Sequence, residues 1–183
     1  MFWFFGDGII IMKRVKHHQE VGMMIRDATP DDAQRLAEIY NYYILNSTAT
    51  FEEDPLTEGQ MADRIEAVTK TYPWLVAERD GEVAGYAYAS QFKSRCAYRK
   101  TVETSIYFDR GHTSKGMGAR LYETLLARIG LLGFHTAIGM LALPNAQSVG
   151  LHEKLGFSRV GELSEVGYKF GKYIDVAYYQ KLL

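Results

Sequence analysis

Only one cysteine, Cys96, occurs in 183 residues. No intramolecular disulfide and no cysteine-rich metal site can form, which fits a reducing compartment and makes the cytoplasm the expected location. Charge of one sign is also missing: 21 Lys+Arg against 22 Asp+Glu leave a formal net charge of -1. No broad basic surface is available for a polyanionic backbone, so nucleic acid is not an expected partner. No apolar run approaches the ~20 residues that a spanning helix needs. The aromatic and aliphatic stretch Met1 to Met12 is broken by Asp7, and its basic cluster, Lys13 to His18, follows it rather than precedes it. That order also fails a secretory signal, and no membrane partner is expected. Residues 1–22 are read as a non-core extension, an upstream translation start or a flexible arm, with a surface-bound anchor left open. Residues 23–183 form the expected single domain. Repeats, low-complexity linkers and metal-ligand spacing are missing as well, so no metal is expected.

What is present is a core: 47% of residues are hydrophobic and 13% aromatic, enough for one globular domain of this length. Met24 to Ala28 reads as a strand, and Thr29-Pro30-Asp31-Asp32 supplies a cap, a first-turn proline and acidic residues for a helix carrying Leu36, Ile39, Tyr40 and Tyr43. A second helix is expected over Met61 to Lys70, ending before Pro73. Trp74 to Glu78 and Val83 to Tyr88 flank Asp80-Gly81, a dipeptide that supplies the positive φ angles of a type I′ hairpin. Lys100 to Phe108 is the next strand, and Lys115 to Gly130 a helix with Leu121, Leu125 and Ile129 on one side. Phe134 to Leu143 reads as a strand weakened by Gly139. Ala146 to Leu155 reads as a short helix closed by Gly156. Phe157 to Gly161 and Tyr173 to Gln180 complete the set as strands. The order implies a mixed α/β sheet, mostly antiparallel, with crossover connections.

Two segments carry chemistry. In the first, the β-rich run Thr101 to Phe108, which contains Glu103, leads to Gly116-Met117-Gly118 at the start of a helix. Glycines there let backbone approach a ligand closely, and the helix start favours an anion such as a pyrophosphate. The spacing is neither a P-loop nor a three-glycine dinucleotide fingerprint, which sets aside nucleotide hydrolysis and hydride transfer. The second is Leu143-Pro144-Asn145 followed by Leu151-His152-Glu153-Lys154-Leu155-Gly156-Phe157. From the residues alone, Asn145 is a helix cap, His152 a packing histidine and Glu103 a strand glutamate whose apolar neighbours would raise its pKa.

The glycine loop and the Leu-His-Glu-Lys-Leu-Gly-Phe run resemble the GNAT acyltransferases, whose loop reads Gln/Arg-x-x-Gly-x-Gly/Ala; Thr113 replaces the long polar residue. Tyr40 to Ile44, Ser47 to Phe51, Tyr72 to Glu78, Ala97-Tyr98, Val102-Glu103, Leu143 to Asn145, Ser148-Val149 and Gly167-Tyr168-Lys169 are similar to phosphinothricin and methionine sulfone or sulfoximine acetyltransferases. The likeness spans Met24 to Leu183.

The resemblance implies a mixed, mostly antiparallel twisted sheet with a splayed strand pair and about four helices. It implies acetyl-CoA as cosubstrate, held by Thr113, Ser114, Lys115, Gly116, Met117, Gly118 and Ala119, by the main chain of Ile106, Tyr107 and Phe108, and by Asn145. Glu103 and His152 would act together as acid and base on the α-amino group of a small amino-acid analogue, directly or through water. Lys93, Arg95 and Tyr98 would face its carboxylate or phosphinate, with Phe51, Thr104 and Ser105 around it. Cys96 has no evident activating partner, so attack on the thioester is expected to be direct. A homodimer is implied. A different amine, such as a polyamine or a peptide N-terminus, and a non-catalytic acetyl-CoA sensor are the alternatives; Lys93 and Arg95 weigh against a polyamine.

Overall fold

The computed structural model describes residues 23–112 and 116–183. The expected extension, 1–22, and the loop positions Thr113, Ser114 and Lys115 lie outside the described residues. The chain order is β1 (Met23–Asp27), α1 (Ala33–Asn46), α2 (Glu58–Thr69), β2 (Trp74–Arg79), β3 (Glu82–Gln91), β4 (Thr101–Phe108), α3 (Met117–Leu131), β5 (Thr136–Ala142), α4 (Ala146–Lys154), β6 (Ser158–Lys169) and β7 (Lys172–Leu182), with short 3-10 turns between some of them. The seven strands form one sheet in the order β1-β2-β3-β4-β5-β7-β6. Every neighbouring pair is antiparallel except β4 and β5.

Local chemistry explains the joints. Thr29 N–H donates to the Asp32 carboxylate at 2.8 Å, which closes the turn that feeds α1. Asp80 and Gly81 adopt φ of 53° and 86°, so the β2–β3 hairpin turns where a tight turn needs positive φ. Gly156 ends α4 at φ 81°. The strand expected over Phe157 to Gly161 is far longer, Ser158–Lys169. Its polar, glycine-interrupted sequence hides it. Register shifts at Arg159/Gly161 and Leu163/Gly167 let an irregular edge strand stay paired to β7.

Two layers of side chains cover the sheet. On one face α1 and α2 bury Leu36, Ile39, Ile44, Met61 and Ile65 against Trp74, Val76 and Tyr86. On the other, α3 buries Leu121, Tyr122, Leu125 and Ile129 against Leu75, Ala87, Val102 and Ala137, with Leu155 and Phe157 beside them. Strand alternation assigns the faces of β4: Thr104 bonds Tyr122 of α3, whereas Tyr107 packs on Tyr40 and Tyr43 of α1. Glu103 and Ser105 share the Tyr107 face. No described helix is long and apolar enough to cross a membrane.

Candidate active site

The parallel ladder between β4 and β5 is short. It joins Thr101 to Thr136, Val102 to Ala137 and Glu103 to Ile138, and then stops although both strands continue. Beyond that point main-chain groups on the facing edges have no partner strand among the described residues. A cavity of about 420 Å³ occupies the opening. Thr104, Ile106 and Phe108 of β4 and Met140 to Ala142 of β5 line it, with Gly116, Gly118 and Ala119 at the start of α3 and Asn145 and His152 from α4. Tyr43, Ala49, Ser105 and Tyr107 line it from the α1 side. The cavity therefore passes between the two faces of the sheet.

The described part of the glycine loop fits an anionic ligand. Gly116 is the N-cap of α3 at φ 106°, a conformation that disfavours any side chain, and the first turn it opens lines the cavity through Gly116, Gly118 and Ala119. Gly118 carries a weaker constraint, since an added Cβ would meet Phe108 at an ordinary 3.7 Å. Asn145 caps α4 through an acceptor bond from Ser148 N–H at 3.0 Å and also lines the cavity. Met117 is buried in the core. The Phe108 carbonyl accepts from the Tyr43 hydroxyl at 2.6 Å.

Glu103 is half-buried at the last paired position of the ladder. Burial pushes its carboxyl above the ordinary range, and the Lys93 ammonium opposes the rise. Tyr88 hydrogen-bonds Ser105 on the same face and also feels the Glu103 charge. Glu52 holds Arg64 at 2.9 Å and accepts from the Tyr40 hydroxyl at 3.1 Å nearby. This side is walled by aromatic rings: Tyr40, Tyr43 and Tyr86 all pack on Tyr107.

His152 is 3% exposed. Its Nδ1 lies 2.8 Å from the Ser148 carbonyl and its Nε2 3.0 Å from the Tyr122 hydroxyl. Burial pulls the imidazole pKa down, with the Ser148 bond opposing. Because Tyr122 belongs to α3, His152 sits on the face opposite Glu103. Glu103 and His152 thus approach the opening from opposite faces of the sheet.

Phe51, Lys93, Arg95 and Tyr98 do not line the cavity, and Glu103 lies next to its lining residues Thr104 and Ser105 without itself lining it. Lys93, Arg95 and Tyr98 are exposed around the 3-10 turn that precedes β4. Phe51 is 42% exposed and packs over Gly167, where an added Cβ would collide with its ring. Lys169, 2% exposed, donates to the carbonyls of Ser47 at 2.9 Å and Thr50 at 2.7 Å, fixing the segment that carries Phe51. Tyr122 and Gly139 were not anticipated as site residues. Tyr122 reads as one more core position of α3, and only its partner across the sheet distinguishes it. Among the described residues no group of three or more His, Cys, Asp or Glu is placed to hold a metal ion.

A sheet opened at its one parallel pair, with a glycine-started helix facing the gap and titratable groups on both sides, is built for group transfer onto a small nucleophile. Residues 25–178 match the family model described as an acetyltransferase (GNAT) domain. The chain belongs to the GNAT acetyltransferase family. It is 42% identical over 157 residues to phosphinothricin N-acetyltransferase of Streptomyces viridochromogenes, covering 86% of each protein. It is 33% identical over 159 residues to the L-methionine sulfoximine/L-methionine sulfone acetyltransferase of Salmonella typhimurium, covering 86% of this chain and 93% of that protein. Among solved structures, a GNAT phosphinothricin acetyltransferase from Sinorhizobium meliloti in complex with acetyl-CoA superposes with a TM-score of 0.85 at 40% identity, over 88% of this chain and 89% of that one.

Proposed function

We propose that this enzyme transfers the acetyl group of acetyl-CoA to the α-amino group of a small amino-acid analogue of the phosphinothricin, methionine sulfoximine or methionine sulfone type. The observation that carries the reading is the half-buried Glu103 at the point where β4 and β5 part, beside a cavity that crosses the sheet. The names of the relatives supply the substrate class.

An amine attacks a thioester only as the free base, and amines are largely protonated near neutrality. Glu103 takes the proton of the incoming ammonium on the α1 face, where its raised pKa brings it closer to that task. Acetyl-CoA enters from the α3 face, its pyrophosphate toward the α3 N-terminus, its pantetheine along the open strand edges and Asn145. Main-chain donors in the gap polarise the thioester carbonyl. Lys93, Arg95 and Tyr98 hold the carboxylate or phosphinate end, Arg95 by its two-pronged guanidinium. His152 handles a proton on the thiol side. Attack is direct, without an acyl-enzyme.

The active species is a homodimer of the cytoplasm. Support for the dimer comes from the β6–β7 hairpin, an edge of the sheet that exposes Val160, Leu163, Val166, Tyr168, Phe170 and Tyr173 at 45–66%.

A thiol-release assay across a panel of amines, with the product identified by mass spectrometry, tests the function. N-acetyl phosphinothricin or N-acetyl methionine sulfoximine or sulfone is expected at the highest kcat/KM. Preference for a polyamine or a peptide N-terminus would replace the substrate class, and thiol release with none of them would favour a sensor.

A further inference from the structure

A file of hydrogen bonds crosses the α3 side of the opening. Thr104 Oγ1 lies 2.7 Å from the Tyr122 hydroxyl oxygen, which lies 3.0 Å from His152 Nε2. At one end Thr104 Oγ1 is also 3.2 Å from the Ile138 carbonyl, the last ladder position of β5. At the other end His152 Nδ1 is 2.8 Å from the Ser148 carbonyl. Thr104 and Tyr122 are 5% and 0% exposed.

Donor counting fixes the direction of the file. A carbonyl only accepts, so the Ser148 bond requires a proton on Nδ1. In a neutral ring Nε2 is then a bare acceptor, Tyr122 O–H points to it, and Thr104 O–H points to Tyr122. In a charged ring both bonds reverse and a third is made: Nε2–H donates to Tyr122, Tyr122 to Thr104, and Thr104 to the Ile138 carbonyl. Both end states give each ring nitrogen and each hydroxyl of the file a partner, and the Ile138 carbonyl receives the Thr104 proton only in the second. Although His152 lines the cavity, both of its nitrogens are already engaged, so a proton reaches or leaves Nε2 through Tyr122.

We propose that Thr104 and Tyr122 form a hydroxyl relay through which His152 exchanges a proton with the reacting centre between β4 and β5. This rests on the N-acetyltransferase reading above. As the bond from nitrogen to the acyl carbon forms, the surplus nitrogen proton passes to Thr104 Oγ1, the Thr104 proton to Tyr122 and the Tyr122 proton to Nε2. Three bonds to hydrogen break and three form, and the positive charge moves to the imidazole. When the carbon–sulfur bond breaks and sulfur leaves with the electron pair, the file runs backward and Thr104 delivers a proton to the thiolate. His152 ends neutral, and the one proton released overall is the one that Glu103 took from the ammonium.

The surroundings suit a ring that starts neutral. Tyr122 from α3 and Tyr179 from β7 are titratable groups packed on it; Phe157 and Gly139 also approach it, and Glu153 and Lys154 flank it on α4. Burial lowers its pKa, which keeps Nε2 open as an acceptor near neutrality.

Tyr122→Phe keeps the ring stacked on Phe157 and removes only the hydroxyl. Thr104→Val removes the other hydroxyl at nearly constant shape, and Thr104→Ser restores it. In ligand-free protein, nitrogen NMR of the histidines should show His152 protonated at Nδ1 and bare at Nε2, with the Nε2 resonance moving in Tyr122→Phe. Single-turnover acetyl transfer should slow by about 10²-fold in Tyr122→Phe and Thr104→Val at unchanged acetyl-CoA affinity, and Thr104→Ser should recover most of the loss. The wild-type rate should carry a solvent deuterium effect with a curved proton inventory, lost in Tyr122→Phe. An Nε2–H tautomer, or both hydroxyl-deletion variants turning over within about twofold of wild type while His152→Ala is slow, overturns the relay and leaves the transferase reading intact. Failure of wild type to acetylate any amine of the panel overturns that reading instead.

Discussion

Gly139 of β5 and His152 of α4 occupy one space: a Cβ built on Gly139 would fall 2.5 Å from His152 Nε2 and 2.7 Å from its Cδ2. The glycine that weakens β5 as a strand is the one that admits the imidazole to the edge of the opening. Gly139→Ala must push the ring away from Tyr122 or shift the strand. Overpacking of this kind costs about 1–3 kcal/mol. A urea melt should register that loss, and kcat should fall by about an order of magnitude or more as the His152–Tyr122 bond breaks. Wild-type kcat in Gly139→Ala would mean that the ring position does not matter.

Glu103 makes a prediction in stability that is separate from catalysis. Burial raises its folded-state pKa above the unfolded value, so folding favours the protonated carboxyl, and its ionisation costs stability as pH rises through the window between the two values. Glu103→Gln removes that cost. Its Tm should exceed wild type at pH 7 and above, and the difference should close as pH falls below the ordinary carboxylate value. An equal difference at every pH would mean that the carboxylate is not strained by burial.

Arg95 is exposed beside the entrance to β4, where a guanidinium can meet an amino-acid carboxylate without a desolvation penalty of its own. Arg95→Ala should raise KM for the amine by about tenfold while kcat and KM for acetyl-CoA change little, the signature of lost ground-state binding. Unchanged amine KM in steady-state assays would remove Arg95 from the carboxylate clamp.

Lys169 holds two carbonyls, that of Thr50 in a buried bond and that of Ser47 in a half-buried one. Lys169→Met would remove the donor from both, at about 1–3 kcal/mol for the buried Thr50 carbonyl and less for Ser47, which water can reach. Denaturant unfolding should show a destabilisation of that order, and amine KM should rise because Phe51 loses its anchored segment. An undisturbed melt would mean that the segment is held by other contacts.

The sequence made the frame readable where a local rule had one solution. Asp80-Gly81 forces a hairpin, Gly156 ends a helix, and Leu121, Leu125 and Ile129 can share only one helical face. The edge strand β6 escaped because bulges and exposed polar residues erase its alternation. Strand, cap and turn chemistry place Glu103, Asn145 and Gly116 in their elements, whereas their roles at the site come from the family resemblance. The separation of Glu103 from His152 is not legible, because which face of the sheet a residue takes depends on register against β3 and β5 rather than on its neighbours in sequence. Tyr122 was hidden for a related reason. On α3 it obeys the apolar pattern, and only a threonine and a histidine from distant segments turn it into a polar link.

In the proposed mechanism Glu103 frees the incoming amine of its proton before transfer through the parted strands. The most direct measurement is the pH dependence of kcat/KM for the amine in wild type and Glu103→Gln. A defect of about 10²-fold is expected at pH 7, shrinking steadily as pH rises past the amine pKa, where solution supplies the free base. A defect that stays constant across that range, or no defect at pH 7, would contradict it.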